Sequence, residues 1–98
     1  METLEKKLGQ DAPVLVAFMK VGHQNAVDLK FEADDLKKEF KDKINIMLID
    51  GSFNAPLLKK YKIDHFPSWV LFKGSKEIWR AEGMQPVDGI SAAVKGLV

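Results

Sequence analysis

The chain has 98 residues, 15 of them basic and 14 acidic, with two histidines and no cysteine. That length makes one domain, residues 1–98, and the balanced charge offers no basic stripe for nucleic acid or an anionic membrane. No apolar run approaches the roughly 18 residues of a spanning helix, the first residues lack the apolar stretch of a secretory leader, and the missing thiols exclude thiol–disulfide exchange. The reading is a soluble, cytoplasmic domain.

In chain order, Leu4 and Leu8 stand one helical turn apart between Thr3 and Gly9, which predicts a short capped helix docked through its leucines. Val14 to Met19 is apolar without alternation, the pattern of a strand covered on both faces and therefore central. Residues 24–41 then carry Leu29, Ala33, Leu36 and Phe40 at helical spacing with Asp34, Asp35, Lys37 and Lys38 opposite, so one long amphipathic helix is expected. Ile44 to Ile49 reads as a strand. Asn54 to Tyr61 reads as a helix with Asn54 as cap and Pro56 in its first turn. Ser68 to Phe72 and Glu77 to Ala81 flank Lys73-Gly74-Ser75-Lys76 as a hairpin, and Pro86 to Val98 forms a last helix with Val87, Ile90, Val94 and Leu97 inward. Lys37-Lys38 and Lys59-Lys60 read as solvated helix faces.

Three segments are diagnostic together: Pro13-Val14-Leu15-Val16-Ala17-Phe18-Met19, the charged helix after it, and His65-Phe66-Pro67-Ser68-Trp69-Val70-Leu71-Phe72-Lys73-Gly74, closed by Gly83. In these segments the chain resembles the thioredoxin family over its whole length. The resemblance implies an α/β fold with a central four-stranded mixed sheet flanked by helices, the family's first strand missing. It also places the redox tetrapeptide, normally Cys-Gly-Pro-Cys, at His23-Gln24-Asn25-Ala26. Neither imidazole nor a methyl group replaces the attacking or the resolving thiol, so the expected protein is a redox-inactive member and not an enzyme. The family's buried Asp and its Lys partner match Ala17 and Leu48, and an apolar replacement of both members of such a pair is far better tolerated than loss of one. Where the family often has a helix-bending proline, Phe31 stands, so a straighter helix is expected.

The resemblance further implies a cis bond ahead of Pro67, facing the former redox motif, and a groove whose rim comprises Gly22, His23, Gln24, Asn25, Ala26, His65, Phe66, Pro67, Gly83 and Met84. An aromatic ring, a flexible Met and open backbone suit a polypeptide. The expected role is therefore a binding, chaperone or assembly module that takes a protein or peptide partner. Two alternatives stand beside it: an accessory to a Cys-bearing partner in redox homeostasis, or a structural subunit that pairs through the Ile44–Ile49 edge, as a homodimer or with a partner strand. No cofactor is implied. His23 and His65 are weak metal candidates, with only Asp64 or Asn25 as helpers, and no metal site is expected from them. Ser68 near His65 lacks a nucleophile elbow, and no Gly-rich phosphate loop is present.

Overall fold

The computed structural model describes residues 4–9, 12–20 and 26–97. Helix α1 spans Leu4–Leu8, strand β1 Val14–Met19, α2 Ala26–Phe40, β2 Asn45–Asp50, α3 Ala55–Lys60, β3 Ser68–Lys73, β4 Lys76–Glu82 and α4 Val87–Leu97, with a short 3-10 turn at Gly51–Phe53. The sheet order is β2-β1-β3-β4. Strand β2 runs parallel to β1, whereas β3 is antiparallel to both β1 and β4.

Because β1 and β3 are the inner strands, both of their faces must be apolar, and Val14 to Phe18 and Ser68 to Phe72 are all buried. Alternation divides those side chains between two cores. Leu15, Ala17, Trp69 and Leu71 meet Leu29, Leu36 and Phe40 of α2 and Ile90 and Val94 of α4 on one face. Val14, Val16, Phe18, Val70 and Phe72 meet Leu4 and Leu8 of α1, together with Leu57, Leu58, Tyr61 and Phe66, on the other. A fully buried Leu or Phe contributes about 1.5–3 kcal/mol through the area it removes from water. Truncating Leu36 to Ala would therefore cost about 2–5 kcal/mol, the transfer loss plus a cavity.

The amphipathic reading of α2 is met: Leu29, Ala33, Leu36 and Phe40 are buried, and Asp34, Asp35, Lys37 and Lys38 are exposed. The helix runs unbroken through Phe31, whose ring points to solvent. Thr3, Gln24, Asn25 and Val98, assigned to helix ends from sequence, lie outside the described residues.

Four details of the sequence reading are corrected. Strand β2 begins at Asn45, and Ile44 instead buries its side chain in the loop before it, under α2. Asn54 occupies the capping position of α3 without capping it, because its Nδ2 turns back to donate to the Asp50 carbonyl at 2.8 Å. Leu97 remains 40% exposed on the last turn of α4, past the end of the sheet's cover. The hairpin is tighter than expected, since Lys73 and Lys76 are themselves paired and only Gly74 and Ser75 turn. Both have positive φ, 57° and 69°, which is the two-residue geometry that matches strand twist and that glycine adopts without strain.

Candidate functional site

The loop from α3 to β3 brings the site residues to one end of the sheet. Arg80 of β4 anchors this loop from the side: its Nη1 donates to the Lys62 carbonyl at 3.1 Å and its Nη2 to the Tyr61 carbonyl, while Glu77 holds the guanidinium at 2.7 Å. These bonds satisfy carbonyls at the end of α3, where Lys62 takes a positive φ of 57°. The loop then descends through buried Ile63 to His65. Buried Ser68 ties it off by donating from Oγ to the His65 carbonyl at 2.7 Å, which also satisfies the hydroxyl.

The Phe66–Pro67 peptide bond is cis. The Pro67 carbonyl accepts from the Gly83 N–H at 2.7 Å, which pins the end of β4 against the loop and joins two stretches far apart in sequence. Gly83 has φ of 83°, a conformation open to glycine and strained for other residues. The half-buried Phe66 ring packs on the core beneath α1 and α3, with Lys20 Nζ 4.8 Å from its centroid. Gly51 makes that seat possible, because a Cβ there would lie 3.0 Å from Phe66 Cε1 and 2.9 Å from Leu58 Cδ1.

The backbone N–H and carbonyl of Phe66 have no hydrogen-bond partner among the described residues. Met84, 36% exposed, lies just beyond Gly83. His65, Phe66, Pro67, Gly83 and Met84 of the expected rim are thus gathered at one end of the sheet. Gly22, His23, Gln24 and Asn25 lie outside the described residues, and Ala26 opens α2.

Three contributors were missed in the sequence. Lys20 carried no signal beyond its charge. Arg80 reads as a solvated strand residue until the α3 loop is laid beside β4. Glu82 falls one residue past the strand expected to end at Ala81, yet it is the register partner of Ser68, and its Oε2 lies 3.3 Å from His65 Nε2. Pairing the hairpin outward from Gly74-Ser75 would have brought Glu82 toward the 65–68 segment.

Solved structures with the same arrangement include a mutant thioredoxin from Halobacterium salinarum NRC-1, with a TM-score of 0.87 at 19% identity over 95% of this chain and 80% of that one. Thioredoxin-2 of the malaria parasite, described as a component of its protein secretion machinery, gives 0.84 at 20% identity over 89% and 84%. The germline thioredoxin Deadhead of Drosophila melanogaster gives 0.83 at 16% over 92% and 85%. At these identities the likeness is one of fold. A curated relative, the chloroplastic thioredoxin X of Arabidopsis thaliana, is 35% identical over 68 residues, which is 67% of this chain but only 36% of that protein. The chain therefore spans little more than a third of that relative. The thioredoxin family model matches residues 1–96. With that match across nearly all of its length, the four-stranded mixed sheet and the Phe66–Pro67 turn beside Gly83, the chain belongs to the thioredoxin family.

Proposed function

We propose that this protein is a redox-inactive thioredoxin-like module that binds an extended segment of a protein or peptide partner along the rim formed by His65, Phe66, Pro67, Gly83 and Met84. The 98 residues hold no thiol, so dithiol exchange has no nucleophile here. The observation that carries the reading is the backbone of Phe66: a donor and an acceptor without partners among the described residues, on a loop tied down at both sides by Ser68 and Gly83. An extended chain satisfies such groups by adding a strand, and neighbouring side chains then supply selectivity. Phe66 and Met84 offer apolar contact, and Lys20 a cation beside the ring. The cytoplasm is the expected compartment. Peptides selected on the protein by display provide the test: affinity should fall at least about tenfold on Phe66→Ala, a loss of about 1.4 kcal/mol. Equal affinity for both proteins would remove the reading.

The position of β2 supports a second reading. Among the described residues its outer edge has no strand partner, and Ile46, Met47 and Leu48 are only half buried. A second copy, or a strand from another protein, would complete that edge and cover those side chains. Sedimentation velocity over a concentration series separates the two readings, because edge pairing predicts a dimer that a lysine at Met47 dissociates.

A further inference from the structure

At the His65 end of the rim, and apart from its backbone, an imidazole and two carboxylates converge. His65 Nε2 lies 3.3 Å from Glu82 Oε2 and 3.6 Å from Asp64 Oδ1, and the three donor atoms fall within 4.8 Å of one another. This is the one such convergence of metal-ligating groups among the described residues. The contact to Asp64 is longer than a hydrogen bond, whereas Glu82 lies within reach of the imidazole. We propose that Asp64, His65 and Glu82 form a binding site for a divalent first-row transition ion such as Zn2+.

The distances fit that occupant. Zinc holds imidazole nitrogen and carboxylate oxygen at about 2.0–2.2 Å, which in tetrahedral geometry separates neighbouring donors by about 3.3–3.6 Å. The two separations from His65 Nε2 lie in that range. The remaining one, between the two carboxylates, closes by rotation of exposed side chains. One nitrogen and two oxygens suit a borderline ion, whereas Mg2+ and Ca2+ favour oxygen alone. Three protein donors leave a fourth position to water or to an incoming ligand.

The frame beneath these donors is fixed at one point. Ser68, almost fully buried, bonds the His65 carbonyl through its hydroxyl and is the register partner of Glu82, so a single residue sets the spacing of two donors from different segments. Gln85 Nε2 adds a bond to the Glu82 carbonyl at 3.0 Å. Asp64 precedes His65 directly. All three side chains are exposed, which leaves the site open to solvent and its affinity modest. The site does not depend on a peptide lying along the rim.

The test is calorimetric titration of the metal-free protein with ZnCl2, with the imidazole signals of His65 followed by NMR. The expected result is saturable binding of one ion, shifted His65 signals, no competition from equimolar Mg2+, and affinity weakened at least about tenfold in both His65→Ala and Glu82→Gln. Melting of both metal-free variants close to the wild type ensures that the loss reports the donors and not the fold. Absence of saturable binding below about 1 mM Zn2+, or unchanged affinity in His65→Ala, would overturn the proposal and leave the cluster as an imidazole between two carboxylates.

Discussion

Ala17 and Leu48 are register partners across the parallel β1–β2 ladder, and both face the core formed with α2 and α4. On its other side Ala17 pairs with Trp69, a fully buried side chain whose bulk complements the small methyl. A charged pair has no room or solvation there. The apolar interior at this pair is therefore consistent with a chain that carries no thiol to serve.

Ala17→Asp alone should cost about 3–5 kcal/mol, because it buries a carboxylate without a partner. Adding Leu48→Lys should return at least about 1 kcal/mol through coupling across the ladder. Urea unfolding followed by tryptophan fluorescence measures both. Strictly additive losses in the double variant would show that the two positions do not sense each other.

Gly51→Ala should disturb the seat of Phe66. Its new Cβ would sit within 3.0 Å of both Leu58 and Phe66 side-chain atoms, so one of the two must move. The expected cost is about 1–2 kcal/mol, with Phe66 ring signals shifted in NMR spectra. A fully wild-type Phe66 environment in this variant would contradict the packing described here.

Arg80→Lys should loosen the loop that carries His65. A lysine reaches one carbonyl at a time, whereas the guanidinium spans Tyr61, Lys62 and Glu77 together. A loss of about 1–2 kcal/mol is expected, with faster amide exchange confined to residues 61–67. Unchanged exchange in that stretch would show that the loop is held by other means.

Two carboxylates of α2 respond to pH in opposite senses. Lys95 and then Ser91 bond Glu39 and hold its carboxyl below the ordinary glutamate range, so its contribution is present at neutral pH and lost as pH falls through that lowered value. Glu32 is pushed up, first by burial and then by Asp28 and Asp35, so its ionisation opposes folding as pH rises above the ordinary range. Glu39→Gln should therefore lower Tm at pH 7, and Glu32→Gln should raise it. Thermal melts from neutral to acid pH should show both differences shrinking in acid. The reverse order at neutral pH would refute the assignment.

What the sequence disclosed follows from how much of each signal is local. Leu29, Ala33, Leu36 and Phe40 repeat at the helical period, and Val14 to Met19 form an unbroken apolar run, so the long helix and the central strand were readable from spacing alone. Leu97 keeps the same period but overshoots the sheet, and no local pattern marks where cover ends. Asn54 has the side chain of a cap, yet the Asp50 carbonyl competes for it, and that competition exists only once the 3-10 turn is formed. The site divides in the same manner. His65, Phe66, Pro67 and Gly83 stand out as motif residues, whereas Glu82 joins them only through the β3–β4 register. Residues 22–25 of the expected rim lie outside the described part of the chain.

The central claim is that the rim around Pro67 receives extended polypeptide although the thiols are gone. Its most direct test is titration of the isotopically labelled protein with a display-selected peptide, followed amide by amide in NMR spectra. The account predicts saturable shifts at His65, Phe66, Gly83 and Met84, with the Phe66 amide moved downfield by a new hydrogen bond. Shifts confined to the outer edge of β2 or to the far end of the sheet, with the Phe66 amide unmoved, would contradict it.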